Sequence, residues 1–118
     1  MATILVVDDD GLLCGLLHDV LSEEGYEVRC AHHGVAALEE IGRSLPDLVL
    51  TDVQMPYLDG IGLLGCLEER SLNVPVVLMS AMRPRVVPVG VAFVAKPFDL
   101  DDLLVTVEGA LSVTNAAA

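Results

Sequence analysis

The sequence predicts an α/β fold in which helices cover a parallel sheet. Short apolar runs alternate along the chain with segments whose apolar residues recur at helical spacing, and this alternation is typical of parallel β-α-β units. With 118 residues, 53% of them hydrophobic, the chain is long enough to bury a core of its own. We therefore expect one domain, residues 1–113. A tail, 114–118, is expected to be disordered or a remnant of the expression sequence.

Five segments are predicted to be strands. Four of them are almost continuously apolar, as strands covered on both faces are. These four span residues 3–7, 48–51, 76–79 and 91–95. Residues 27–30 instead alternate polar and apolar side chains, which indicates a strand with one face partly in water. We expect that strand at an edge of the sheet.

Helical spacing of apolar residues predicts four helices. Three of them have their apolar faces within residues 13–21, 37–45 and 100–111. A fourth covers residues 60–69, where Asp59 is the expected N-cap, and Asp99 is the expected N-cap of the last helix. Between 81 and 90 the prolines leave room only for a loop or one short turn.

Charge and composition exclude several classes of protein. Eighteen acidic and six basic side chains give a net charge of −12, so direct binding to nucleic acid is not expected. No apolar run reaches the length of a membrane span and the first residues lack the basic region of a signal peptide, so we expect a cytoplasmic protein. Three widely spaced cysteines fit neither a disulfide framework nor a zinc site, and we expect them to be buried apolar residues.

Polar side chains follow the predicted strands. The carboxyl ends of parallel strands meet at one edge of the sheet, where α/β proteins bind their ligands. Those positions hold Asp8, Asp9, Asp52, Ser80 and Lys96, which is the only lysine. Crowded carboxylates repel one another unless a cation neutralises them, and oxygen ligands suit Mg²⁺. Because Mg²⁺ often shares phosphate oxygens with proteins, a lysine and a hydroxyl nearby indicate a phosphoryl site.

Each of these residues has an ordinary alternative role. An acidic residue after a strand is more often a turn former or a helix cap, and Lys96 before Pro97 could be a solvated loop residue. The prediction therefore depends on their joint placement.

Four motifs together resemble the receiver domains of two-component response regulators, including the chemotaxis regulators. They are ILVVDDD at 4–10, LVLTDVQMP at 48–56 followed by Asp59-Gly60, PVVLMSA at 75–81, and AKPF at 95–98. The resemblance covers almost the whole chain. It implies a flavodoxin-like, doubly wound sheet of five parallel strands in the order 2-1-3-4-5. That order agrees with an edge position for residues 27–30.

The resemblance also implies roles for the acidic residues. Asp52 would be the phosphoacceptor. Asp9 and Asp52 would bind Mg²⁺ directly, together with the backbone carbonyl of Gln54, and Asp8 would bind it through water. Gln54 and Met82 would flank the site and tune the lifetime of the phosphorylated state.

Ser80 and Lys96 are implied to contact the phosphoryl group. Ser80 and Phe93 would form a switch, in which the hydroxyl moves toward the phosphoryl group and the aromatic ring rotates into the space it leaves. Ordinary core packing is an equal alternative for Phe93. Pro97 is implied to follow a cis peptide bond that aims Lys96 into the site.

The implied function is that of a signalling module, which is not an enzyme beyond assisting its own phosphorylation and dephosphorylation. It would accept a phosphoryl group from a histidine kinase or a histidine phosphotransfer protein and act on a downstream protein. We expect a monomer or weak dimer, with no membrane or nucleic-acid partner. This chain departs from the family in one respect, because the fourth helix that receivers normally have is expected to be short or absent here. This puts in doubt the family's usual output surface, which is built from the fourth helix, the fifth strand and the fifth helix.

Two alternatives stay open at this point. A pseudo-receiver would bind a partner without being phosphorylated, and only the shortened segment 81–90 favours it. A haloacid-dehalogenase-like phosphatase also places Asp-x-Asp after an apolar strand, so Asp8 would be its nucleophile. The length of the chain argues against that enzyme.

Overall fold

The computed structural model describes residues 1–55, 57–82, 87 and 91–117, with side chains described as far as Ser112. Within these residues strands and helices alternate as the sequence predicts, except that the last two strands follow each other without a described helix between them. The elements in order are β1 (Thr3–Val7), α1 (Gly11–Glu23), β2 (Glu27–Ala31), α2 (Gly34–Arg43), β3 (Leu48–Asp52), α3 (Gly60–Glu69), β4 (Val76–Ser80), β5 (Ala92–Ala95) and α4 (Leu100–Ala117).

The five strands form one parallel sheet in the order β2-β1-β3-β4-β5. This confirms both the predicted order and the edge position of β2. The register aligns the strand ends, because Val7 of β1 pairs with Ala31 and Thr51, and Asp52 of β3 pairs with Met79. The residues that follow the strands are therefore brought to one edge of the sheet.

Two layers of helices cover the sheet. On one face, side chains of α1 and α4 such as Leu17 and Leu103 pack with Ile4 of β1. On the other face, α2 and α3 pack against alternate residues of the same strands, including Leu5. Successive side chains of a strand point to opposite faces, so each central strand contributes to both layers. The doubly wound α/β fold is confirmed.

β5 differs from its prediction as a strand covered on both faces. It forms the second edge of the sheet, and of its four residues only Val94 is buried. An edge strand has a neighbouring strand on one side only, so its side chains meet fewer partners. Its apolar sequence resembles that of a central strand, and this pattern predicted burial on both faces although the implied strand order places the fifth strand at an edge.

Two helix boundaries also differ from the predictions. Leu45 was predicted to lie on the buried face of the second helix, but α2 ends at Arg43 and Leu45 is 51% exposed. Leu45 precedes Pro46, and a residue before proline disfavours the helical conformation. At the other end of the chain, α4 continues to Ala117 through part of the expected tail. Alanine, which occupies positions 116 and 117, has the highest helix propensity.

The predicted loop or short turn at 81–90 lies mostly outside the described residues. Ala81, Met82 and Val87 are described, and the remaining positions of this segment are not. The prediction that the family's fourth helix is short or absent therefore stays a prediction. The described part of the chain has four helices.

Candidate functional site

Asp52 ends the central strand β3 and is 7% exposed. One carboxylate oxygen, Oδ1, accepts a hydrogen bond from the backbone N–H of Gln54 at 3.2 Å. Burial raises the pKa of Asp52, and the charge of Asp8 raises it further. The hydrogen bond from Gln54 and the ammonium group of Lys96 offset this only in part, so the pKa lies above the ordinary carboxyl value.

Asp8 and Asp9 follow β1, the neighbouring strand. Asp8 is completely buried, and its two oxygens have separate partners. Oδ1 accepts a hydrogen bond from the Asp10 backbone at 2.9 Å, and Oδ2 accepts one from Lys96 Nζ at 2.8 Å. Asp9, the next residue, is exposed to solvent. The two acids therefore offer one buried and one accessible carboxylate to the same site.

Lys96 crosses from the end of β5 to both buried carboxylates. Its Nζ lies 2.8 Å from Asp8 Oδ2 and 3.3 Å from Asp52 Oδ2. Its backbone N–H donates to the carbonyl of Ser80 at 2.9 Å, which fixes the lysine beside β4. The peptide bond between Lys96 and Pro97 is cis, as the resemblance implied.

Lys96 stays protonated in this environment. Burial lowers its pKa, but the hydrogen bond to Asp8 and the charges of Asp8 and Asp52 outweigh burial, so the pKa is raised above its ordinary value. The ammonium group is thus available as a fixed positive charge at neutral pH. This contact contradicts the alternative in which Lys96 is only a solvated loop residue.

Three carboxylates form a candidate cation site. Oxygens of Asp8, Asp9 and Asp52 lie within 4.8 Å of one another. When all three are ionised, their charge of −3 and the +1 of Lys96 leave −2 at this edge of the sheet. Such a set of hard oxygen donors with excess negative charge fits Mg²⁺. The residues present therefore fit the metal that the sequence predicted.

Ser80 lies at the end of β4 beside this cluster and is 1% exposed. Its hydroxyl oxygen accepts a hydrogen bond from the backbone N–H of Met82 at 3.1 Å. Met82 is largely exposed at the rim, and its Sδ accepts a hydrogen bond from Gln54 Nε2 at 3.7 Å. The two predicted flanking residues, Gln54 and Met82, therefore contact each other across the entrance to the site.

Phe93 lies on β5, where it pairs with Leu78 in the strand register. It is half-buried against the core layer that α2 and α3 cover. This position agrees with ordinary packing and with the predicted switch, so its role in switching stays a prediction.

Asp10 has the helix-cap role that is the ordinary alternative for an acidic residue after a strand, whereas the roles of His33 and Gly60 were not predicted. Asp10 is the N-cap of α1, where its carboxylate accepts from the backbone of Leu12 and Leu13, and His33 is the N-cap of α2. A Cβ atom placed on Gly60 would lie 2.5 Å from the carbonyl oxygen of Asp52. The run of three aspartates was a signal for the first cap, but no local pattern indicates the contact of Gly60.

Comparison with known proteins agrees with this geometry. The family model of the response regulator receiver domain matches residues 4–108. The chain belongs to this family. Receiver domains of response regulators are signalling modules that interact with kinases and downstream effector domains. The phosphatase alternative, with Asp8 as its nucleophile, is therefore wrong.

Individual relatives support the same assignment. The receiver is 37% identical to the transcriptional regulatory protein ZraR of Escherichia coli K12, over 96% of this chain and 27% of that protein. It is 35% identical to the regulatory protein AtoC of the same strain, over 93% of this chain and 25% of AtoC. The chain thus spans about a quarter of the length of these two relatives. A solved receiver domain, Francisella response regulator 1452, has a TM-score of 0.88 and 31% identity, covering 97% of this chain and 99% of that one.

The helices of the described residues do not provide a membrane span. None of the helices there combines the length and the apolar character that crossing a membrane requires.

Proposed function

We propose that this receiver accepts a phosphoryl group on Asp52 from a phosphohistidine of a sensor kinase or a histidine phosphotransfer protein, with Mg²⁺ bound, and signals by a change of conformation. The observation that carries the proposal is the convergence of Asp52, Asp8 and Lys96. These three side chains come from the carboxyl ends of different strands, and the ammonium nitrogen lies 2.8 Å and 3.3 Å from the two carboxylates.

Asp52 is suited to act as the nucleophile. In the ionised form one of its oxygens attacks the phosphorus atom, and the P–O bond forms as the P–N bond to the histidine breaks. The histidine, which carries a proton on its other ring nitrogen, keeps the electron pair of the P–N bond and leaves as neutral imidazole. The hydrogen bond from Gln54 to Oδ1 holds the carboxylate in one orientation. This leaves Oδ2, on the side of Lys96, as the oxygen that attacks.

Lys96 supplies a positive charge where the transferred group acquires negative charge. It is held between Asp8 and Asp52 before the phosphoryl group arrives, so little reorganisation is needed during transfer. Mg²⁺, held by Asp8, Asp9 and Asp52, would neutralise further charge on the phosphoryl oxygens. The backbone carbonyl of Gln54 is the fourth ligand that we propose.

Ser80 and Phe93 are the residues that we propose to report the phosphorylated state. The Ser80 hydroxyl is buried and bonded to Met82 N–H. Turning it toward the phosphoryl group would break that bond and free space beside β5, which is where Phe93 lies. Gln54 and Met82, which are in contact at the rim, would control the access of water and hence the lifetime of the acyl phosphate.

Free cysteines support a reducing compartment for this chemistry. The three cysteines form no disulfide in the structure, as is usual for cytosolic proteins. We propose that the receiver works in the cytoplasm, with protein partners, as a monomer or weak dimer.

The test is the intact mass of the protein after incubation with acetyl phosphate, with and without Mg²⁺. We expect a gain of one phosphoryl group that requires Mg²⁺ and is lost in Asp52→Asn. Asp19→Asn, which changes an exposed carboxylate on α1, is the matched control and should be phosphorylated like the wild type.

Two results would contradict the proposal in different ways. A gain of mass that persists in Asp52→Asn would place the phosphoryl group elsewhere. No gain from acetyl phosphate, followed by no gain from a phosphorylated histidine phosphotransfer protein, would favour the pseudo-receiver.

A further inference from the structure

We infer that Gly34, the first residue of α2, is a positioning residue for the phosphoacceptor site and acts through Leu58 and Gly60 on Asp52. This inference rests on the proposed function, because the role of Gly34 is to keep the Mg²⁺ ligands in place. Gly34 belongs to a helix that contributes no side chain to the carboxylate cluster. It affects the site through close contacts with the loop that connects β3 to α3.

Gly34 leaves room for the loop that connects β3 to α3. A Cβ atom on Gly34 would lie 2.6 Å from the carbonyl oxygen of Leu58 and 2.8 Å from the Leu58 Cβ atom. Non-bonded carbon atoms are ordinarily about 3.5 to 4.0 Å apart. Because one of the two contacts is with the backbone, a change of side-chain rotamer cannot remove the overlap. A side chain at position 34 would have to displace either α2 or the loop.

A side chain at position 34 would displace the loop and not α2. α2 is anchored in the core by Ala37 and Ile41, which are buried against the sheet. It is also held by Arg29 of β2, which donates to Glu40 at 3.2 Å and to the Ser44 carbonyl at 2.8 Å. Leu58, in contrast, lies in a connection between elements and is only partly buried. A displacement at Leu58 moves the residues that follow it.

Gly60 transmits such a displacement to Asp52. It lies two positions after Leu58, and its N–H donates to the Val53 carbonyl at 2.9 Å. Its Cα is packed so closely on the Asp52 carbonyl that an added Cβ would lie only 2.5 Å from that oxygen. Moving Gly60 therefore moves the peptide group between Asp52 and Val53. The same loop contains Gln54, whose N–H orients the Asp52 carboxylate.

The backbone of Tyr57 shows that the loop is held by its surroundings. Tyr57 has φ of 69°, in the left-handed region that residues with a side chain disfavour. Its side chain is fully exposed and so does not hold it there. Such a conformation persists only where neighbouring contacts impose it. The contact of Gly34 with Leu58, the next residue, is one of them.

The experiment compares Gly34→Ala with Gly42→Ala in the full chain. Gly42 lies on the same helix, and a Cβ there would meet nothing within 4 Å. We would measure the Mg²⁺ dissociation constant by calorimetry, and the hydrogen exchange of the Gly60 and Gln54 amides without metal. For Gly34→Ala we expect the Mg²⁺ dissociation constant to rise roughly tenfold. This is the lower end of the range for substitutions of residues that support a metal ligand. We also expect faster exchange at both amides, with Gly42→Ala unchanged in both measurements.

Leu58→Ala provides a second variant if Gly34→Ala does not fold. It removes the side chain that packs on Gly34 without adding an atom, and we expect the same two effects in smaller size. The inference would be overturned if Gly34→Ala folds and keeps the Mg²⁺ affinity and amide hydrogen exchange of the wild type. If Gly34→Ala does not fold, the same result for Leu58→Ala would overturn it. If the wild type itself binds no Mg²⁺, the proposed function fails, and the exchange of the Gly60 amide still decides whether Gly34 positions the loop.

Discussion

Asp52 faces two opposing requirements. It must be ionised to attack phosphorus, but it is buried beside Asp8, and burial raises its pKa. The folded protein therefore binds a proton on Asp52 at a higher pH than the unfolded chain does. It follows that the ionised carboxylate destabilises the fold at neutral pH, and that protonation relieves this as the pH falls through the raised pKa.

Asp52→Asn is therefore expected to stabilise the metal-free protein at pH 7. The amide oxygen of asparagine can still accept the hydrogen bond from Gln54, and the charge that opposes Asp8 is gone. We expect a gain on the order of 1 kcal/mol, which for a domain of this size raises Tm by roughly 4 °C. The gain should shrink as the pH is lowered toward the ordinary carboxyl pKa near 4.

Thermal unfolding at a series of pH values checks this prediction. Asp19→Asn serves as the control because its carboxylate is exposed. A lower Tm for Asp52→Asn at pH 7, or a gain that grows on acidification, would show that the ionised form of Asp52 stabilises the fold.

At the scale of secondary-structure elements, helix caps and site residues share the same short loops. Asp10 directly follows Asp8 and Asp9, and it caps α1 through hydrogen bonds of 3.0 Å and 3.3 Å from Leu12 and Leu13. Asp59 similarly caps α3 at the end of the loop that begins at Asp52. The strand end, the site and the helix start are therefore specified within a few residues of one another.

Asp10→Ala should lower the free energy of unfolding by about 1 kcal/mol, because it removes the acceptor for the first backbone N–H groups of α1. Asp10→Asn keeps a capping oxygen and should stay within a few tenths of a kcal/mol of the wild type. Urea denaturation of the two variants makes the comparison. Equal destabilisation by both would mean that the charge of Asp10 matters more than its hydrogen bonds.

At the scale of the whole molecule, the charge of −12 opposes the compact state. Only six basic side chains compensate eighteen acidic ones, and one of them, Lys96, is engaged in the site. Repulsion among exposed carboxylates is screened by salt, whereas the carboxylates of the site are close enough to bind a cation specifically. The two effects are separable by experiment.

NaCl is expected to raise Tm between about 0.01 M and about 0.15 M ionic strength, as the Debye length shortens from about 30 Å to about 8 Å. MgCl₂ at matched ionic strength should raise Tm further in the wild type, because an ion that binds only the folded state stabilises it. Asp9→Asn removes the exposed ligand, so the Tm of this variant should differ much less between the two salts than the Tm of the wild type does. An equal response to both salts in the wild type would contradict specific binding.

Local patterns in the sequence determined the order of the elements along the chain and the members of the carboxylate cluster, whereas the resemblance to receiver domains implied the order of the strands in the sheet. The spacing of apolar residues is a local property of the chain, because it involves only residues that are close in sequence. It therefore predicted the strands and most of each helix without knowledge of the fold. The site was predictable because the carboxyl ends of parallel strands always meet at one edge. This rule is enough to predict Asp8, Asp9, Asp52, Ser80 and Lys96 as site residues from the sequence alone.

Only the tertiary structure decided what depends on contacts between distant segments. It showed that three of the four residues of β5 are not buried, that Leu45 lies outside α2, and that Lys96 is closer to Asp8 than to Asp52. The contact of Gly34 with Leu58 belongs to the same group. Periodicity and motifs describe residues near one another in the chain. Steric fit and charge pairing depend instead on how the folded elements are placed against each other.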